Sequence, residues 1–180
     1  MAIRYQDQSY RVIGADYHPG QGKMGGVNHL RLKNLSTGTL WEYSLRADLK
    51  VEELEVQRIA LEFLYSDGDA CVFMNPQSYE QVEVDPAVIG EQRKFLQPGV
   101  QIPVEFVEGR AVNVIFPEFI EIDIAETAPP SHGQVDSTWK PARLSNDVEI
   151  MVPPFVKNGD TIRLNLAGLK YMDRAKAKGG

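Results

Sequence analysis

Apolar residues in this chain recur at alternate positions, in short runs interrupted by turn-forming residues, and that pattern excludes most folds. Alternation puts every second side chain on one face of an extended strand, whereas a helix needs apolar positions three and four apart. Such runs cover residues 10–13, 27–35, 40–45, 56–65 and 71–74, then 100–107, 111–116, 120–124, 148–152 and 161–166. Between them stand Pro19-Gly20, Ser36-Thr37-Gly38, Ser66-Asp67-Gly68-Asp69, Pro98-Gly99, Glu108-Gly109 and Asn158-Gly159-Asp160. Short strands with frequent turns predict an all-β protein made of small barrels or sandwiches. One helix is expected over residues 85–96. Asp85 can cap it, Pro86 suits its first position, and Val88, Ile89, Phe95 and Leu96 give a partly apolar face.

The chain is 180 residues long, with 43% hydrophobic and 24% charged residues, a globular composition. Two cuts suggest themselves, near Phe63 and after Glu126, where the linker-like Thr127-Ala128-Pro129-Pro130-Ser131-His132-Gly133 begins. The expected domains are therefore 1–62, 63–126 and 127–180. Net charge is −6, which speaks against a protein that simply coats nucleic acid. By segment, residues 1–50 hold seven basic and four acidic side chains, 51–126 four and sixteen, and 127–180 eight and five. Basic ends around an acidic middle suit contact with polyanions at the ends, although solvated faces of three small domains would give the same counts. The single Cys71 rules out an internal disulfide and multi-cysteine metal sites. No apolar run approaches the ~18 residues of a membrane span, and the N-terminus lacks a signal-peptide core, so a cytoplasmic location is expected.

The segment His18-Pro19-Gly20-Gln21-Gly22-Lys23-Met24-Gly25-Gly26 formally contains G-x-G-x-x-G. A dinucleotide site needs a helix directly after that motif, and here a strand pattern, Val27 to Leu35, follows. A phosphate-cradling P-loop fails as well, because Tyr17 stands at its first glycine and Met24 at its magnesium-binding hydroxyl. What remains is a hairpin with a long glycine-rich tip on which Lys23 is the one charged residue. A surface loop kept soluble by its lysine is the plainer reading of the same residues. His18, His29 and His132 lack metal-ligand spacing and read as surface or loop residues. Asp67-Gly68-Asp69 reads as a turn, Cys71 as core, and Glu52, Glu53 and Glu55 as a solvated face. Trp41, Trp139, Tyr65 and Phe73 could stack on bases, but packing within the protein is the commoner fate of such side chains. No nucleophile–base pair is visible.

Taken together, these residues resemble the bacterial translation elongation factor P family. The resemblance runs through IRYQDQSYRV, the PGQG loop and LRLKNLSTG, then YSDGDACVFMNPQSYEQVEV. It ends in Lys140-Pro141-Ala142, Val152-Pro153, Gly159-Asp160, Tyr171 and Arg174. Members of that family usually carry a short strand ahead of the position of Met1, so that strand is expected to be missing here. The resemblance implies an SH3-like barrel followed by two OB-fold barrels, arranged as an L that mimics tRNA. It implies a monomer that binds the ribosome between the P and E sites and rescues ribosomes stalled on consecutive prolines. The partners implied are the ribosome, peptidyl-tRNA and rRNA, with no membrane. No cofactor is implied, and the ribosome supplies the chemistry. The tip lysine, Lys23, would approach the CCA end of peptidyl-tRNA and is a candidate for post-translational modification by a lysine-modifying enzyme. Pro19, Gly20, Gln21, Gly22, Met24, Gly25 and Gly26 would form its loop, and Arg31, Lys33, Tyr171 and Arg174 would contact RNA.

Some positions depart from the family pattern. The family loop reads Pro-Gly-Lys-Gly, whereas Gln21 follows Pro19-Gly20 here. Counting back from LRLKNLSTG places Lys23 at the functional position, with two extra residues on the other arm. Met24 replaces a usual glycine, Gly133-Gln134-Val135 stands for Gly-Asp-Thr in a shortened loop, Asp147 replaces a glycine, and Lys170 replaces a glutamate. These differences leave open a divergent paralogue: an RNA- or ribosome-binding adaptor without polyproline rescue.

Overall fold

The computed structural model describes residues 1–21, 25–130 and 139–175. Three antiparallel five-stranded sheets follow one another along the chain. The first holds β1 (Ala2–Tyr5), β2 (Gln8–His18), β3 (Val27–Asn34), β4 (Leu40–Arg46) and β5 (Glu52–Leu54), in the order β4-β3-β2-β1-β5. The second holds β6 (Val56–Ser66), β7 (Cys71–Met74), β8 (Gln81–Val84), β9 (Gln101–Val107) and β10 (Arg110–Val114), in the order β10-β9-β6-β7-β8. The third holds β11 (Phe119–Thr127), β12 (Lys140–Leu144), β13 (Glu149–Val152), β14 (Thr161–Asn165) and β15 (Lys170–Arg174), in the order β13-β12-β11-β14-β15. The all-β expectation holds, and the three sheets are those of small barrels.

Each barrel has its own apolar centre, filled largely by inward residues of the alternating runs, with Ile3 of β1 added from outside them. Ile3, Tyr10 and Leu32 fill the first, with Tyr5, Leu30 and Tyr43 packed around them. Leu61, Phe63, Cys71, Phe73 and Val104 are buried in the second, where the rings of Phe63 and Phe73 meet edge to face at 5.3 Å. Ile122, Ile124, Leu144, Val152, Ile162 and Leu164 form the third. A fully buried aliphatic or aromatic side chain contributes about 1.5–3 kcal/mol. Barrels this small therefore depend on nearly every inward position.

Both expected boundaries fall inside strands. Residues 56–62 are the first part of β6, which pairs with β9 from Val56↔Val107 onward, so the first boundary lies at Glu55 rather than before Phe63. Residues 119–126 belong to β11, which pairs with β14 and β12, so the second boundary lies between β10 and β11. The Pro-rich stretch after Glu126 begins the connection from β11 to β12 within one sheet. An unbroken alternating run outweighs a shift in composition as a sign of domain membership. The redrawn boundaries also remove the excess of basic residues at the two ends. Residues 1–55 hold seven basic and seven acidic side chains, 56–115 four and nine, and 116–180 eight and nine. The net negative charge therefore still falls mainly on the middle barrel, while the two end barrels are close to neutral.

The expected helix is also shorter. Asp85 caps it as anticipated, with Oδ1 accepting from the Ala87 N–H at 2.8 Å, but α1 spans only Pro86–Ile89. At Gly90 the backbone turns to φ 76°, and a 3-10 turn, Gly90–Phe95, follows. Phe95 of that turn is buried in the third core.

The chain forms two compact units. One comprises residues 1–90 and 97–115, the other residues 91–96 and 116–180. The first two barrels thus share a unit.

Candidate functional site

The glycine-rich segment closes a hairpin, as its residues suggest. β2 and β3 pair from Tyr10↔Asn34 to His18↔Val27, so the eight residues 19–26 lie beyond the last pair. Pro19, Gly20, Gln21 and Gly25 are exposed. Lys23, with Gly22 and Met24, lies outside the described residues. A strand follows the glycines, which agrees with rejecting a dinucleotide site. β2 carries a bulge between Val12 and Gly14, which leaves Ile13 unpaired and exposed. A bulge strengthens local twist and redirects the strand beyond it.

The register decides which side chains share the outward face of this hairpin. Arg31 and Lys33 stand on it together, as do His29 and, across on β2, Asp16 and His18, whereas Arg11, opposite Lys33, is taken up by Glu105. His29 is held in place: its Nδ1 lies 2.8 Å from Ser44 Oγ on β4, and its ring meets His18 edge to face at 4.7 Å. Two glycines here are approached closely by side-chain ends. A Cβ at Gly14 would lie 2.6 Å from a nitrogen of the Arg31 guanidinium, which crosses that position. One at Gly26 would lie 2.5 Å from the Tyr17 ring. The face offers guanidinium, ammonium and imidazole donors, with Asp16 and Glu42 the acidic residues paired across from them among the described residues. Such a surface suits a phosphate backbone.

A second cluster stands on the third barrel. Tyr171 of β15 meets the Trp139 ring at 6.1 Å and the Phe155 ring at 6.4 Å, both edge to face. Arg174 lies with its guanidinium carbon 4.9 Å from the Phe155 centroid. Arg174 Nη2 donates to the Phe155 carbonyl at 2.7 Å, and its Nε faces Asp160 at 3.4 Å. Trp139 and Phe155 are both about half exposed, at 47% and 51%. Burial pushes the Tyr171 phenol above its ordinary value, and the opposing pull of Arg174 does not cancel this, so the ring stays neutral at physiological pH. Exposed rings with one cation among them can stack on bases as well as pair with phosphate.

The structure therefore places Arg31 and Lys33 on one face of β3, and Tyr171 and Arg174 both against Phe155. Sequence reasoning missed Phe155, whose place beside Tyr171 follows from a fold contact no local pattern reveals. Trp139, read as most often internal packing, is half exposed, and so are Trp41 and Tyr65; Phe73 is core. Asp67 acts as a turn former, accepting from the Asp69 and Ala70 N–H groups. No cluster of three or more metal-ligating side chains occurs among the described residues, nor does a helix long and apolar enough to cross a membrane.

Three small β-barrels in series, the first with a long hairpin and the third with an aromatic–arginine cluster, define a class of multi-barrel protein suited to contact with nucleic acid. Comparison with known proteins narrows the class. Residues 1–51 match the elongation factor P (EF-P) KOW-like domain, residues 56–114 the elongation factor P (EF-P) OB domain, and residues 120–174 the elongation factor P C-terminal domain. Elongation factor P of Gemmatimonas aurantiaca is 34% identical over 177 residues, covering 98% of this chain and 94% of that one. That of Bartonella tribocorum is 39% identical over 158 residues, covering 87% and 83%. Among solved structures, eukaryotic translation initiation factor 5A from Methanococcus jannaschii shares the fold. Its TM-score is 0.50 at 20% identity, over 63% of this chain and 85% of that one. The chain belongs to the elongation factor P family and is a translation elongation factor.

Proposed function

We propose that this protein binds the ribosome between the P and E sites and speeds peptide-bond formation on ribosomes stalled at consecutive prolines. The hairpin carries the reading: strands paired out to His18↔Val27 present an eight-residue loop that holds a single lysine, Lys23. A proline nitrogen is a constrained, poor nucleophile, and fixing the P-site substrate against it recovers part of the orientation cost of the reaction. Lys23, a compact cation among glycines, would reach the CCA end of peptidyl-tRNA. Arg31 and Lys33 would meet the tRNA backbone, and Tyr171 and Arg174 a second RNA contact. The protein contributes position and charge, and the ribosome does the chemistry.

The test is the rate of peptide-bond formation on a message with consecutive prolines and on one without. The reading expects the protein to raise only the first. Salt-sensitive ribosome binding with no gain in rate would replace it with an RNA-binding adaptor of the same architecture. Intact-mass measurement of the Lys23 peptide from native cells decides whether the loop lysine is modified.

A further inference from the structure

Two polar side chains are buried among the described residues, Asn34 and Glu105, and both lie where the first two barrels meet within their shared unit. A carboxylate is costly to bury unless its oxygens are matched by cationic or hydrogen-bonding donors. Glu105 is matched from both barrels. Its Oε1 accepts from Arg58 Nη2 at 2.9 Å and its Oε2 from Asn113 Nδ2 at 3.1 Å, both on the middle barrel. Oε2 also accepts from Arg11 Nη1 of β2, on the first barrel. A second tie runs alongside: Arg4 of β1 pairs with Glu108 in the β9–β10 turn, and Ser9 Oγ donates to the same carboxylate at 3.2 Å.

The apolar part of this joint is small. Ala2, Leu54 and Leu35 meet Val107 and Val112, and a cavity of about 450 Å3 opens beside them, lined by Ser9, Asn34, Thr37, Glu108 and Arg110 among others. So small an apolar contact restrains rocking of the barrels only weakly. A buried, doubly paired carboxylate removes that freedom, because any rotation separates it from a cation it needs.

β2 is also the strand that runs out to the loop. From Arg11 to His18 it rises about 3.3 Å per residue, so the loop begins roughly 23 Å from the joint. A rocking of about 3° would then move the loop by about 1 Å, a displacement that can cost up to about a hundredfold in a reaction governed by orientation. We infer that Arg11 is a positioning residue, which ties β2 to the Glu105 carboxylate of the middle barrel and so fixes where the β2–β3 loop is presented.

This inference rests on the functional reading above, and its test separates the two. Arg11→Ala is the useful variant, because Glu105 keeps Arg58 and Asn113 and the middle barrel stays intact. The peptide-bond rate on a consecutive-proline message is measured against factor concentration. Arg11→Ala is expected to lower the maximal rate about tenfold while the half-saturating concentration changes less than about twofold. Arg11→Lys, which keeps a cation beside Glu105, should recover most of the rate. Spin labels at Asp48→Cys on the first barrel and Ser78→Cys on the middle barrel report the joint directly, since the native Cys71 is buried. Their distance distribution should broaden in Arg11→Ala. An unchanged distribution, or a parental maximal rate in a background where Lys23→Ala abolishes rescue, overturns the positioning role and leaves the functional reading standing. If Lys23→Ala retains full rescue, the functional reading fails, and the spin-label result alone decides whether Arg11 holds the joint.

Discussion

Replacing Glu105 with alanine tests whether the joint between the first two barrels is held by charge. The carboxylate accepts three side-chain bonds and its side chain is only 6% exposed, while those of Arg11 and Arg58 are 30% and 63% exposed. A hydrogen bond to a charged group contributes about 1.5–3 kcal/mol when shielded, and an exposed partner such as Arg58 less than about 1 kcal/mol. Relief of the buried charge offsets part of the loss, which leaves about 2–3 kcal/mol expected for Glu105→Ala. Urea unfolding followed by Trp41 fluorescence, in a Trp139→Phe background, reports the unit that contains the joint, since these are the chain's two tryptophans. The pH dependence carries the sharper test. Burial alone would raise the Glu105 pKa, but the bonds from Arg58 and Asn113 and the bond and charge of Arg11 hold it below the ordinary carboxylate value. A depressed pKa adds stability above the unfolded-state value of ~4.3, and that stability fades as pH falls through the folded value. The gap between parent and variant should therefore be full at pH 7 and shrink below about pH 4. A loss under about 0.5 kcal/mol, or a gap that stays constant into acid, would refute an ion-paired joint.

Two further perturbations probe the RNA-facing surfaces. Trp139→Ala removes a half-exposed ring beside Tyr171 and should weaken ribosome binding about tenfold, in line with the loss of one stacking contact, with little change in thermal midpoint. Gly14→Ala places a methyl where the Arg31 guanidinium lies. Because that group is the end of a flexible side chain, unfolding free energy should fall by less than about 1 kcal/mol. The salt dependence of ribosome binding should lose about one unit of slope in a titration over salt concentration.

Sequence alone made much of the architecture legible, for identifiable reasons. β14 was evident because strict alternation met turn residues at its ends, and β7 because a short continuous apolar run follows the Asp67-Gly68 turn. Weaker or shorter strands escaped notice: β1, β5 and β8 are three or four residues long, and β12 and β15 are polar on their exposed faces. The helix was overextended because its apolar pattern continues past Gly90, where the backbone breaks away. The domain boundaries went wrong because composition and charge were allowed to outrank the alternation of residues 56–65. At the site, the hairpin was legible from its glycines and the strand after them. The Glu105 joint was not, because Arg11 and Glu105 stand 94 residues apart and nothing local marks either one. The aromatic cluster was legible only in part, through Tyr171, Arg174 and Trp139, because Phe155 joins it through the fold.

The central claim is that the loop between β2 and β3 acts through its lysine. Peptide-bond formation on a message encoding consecutive prolines, measured with the parent protein and with Lys23→Ala at saturating concentration, tests that claim most directly. The account predicts that the parent accelerates the stalled step and that Lys23→Ala, though it still binds the ribosome, does not. A variant that rescues as fast as the parent would contradict it.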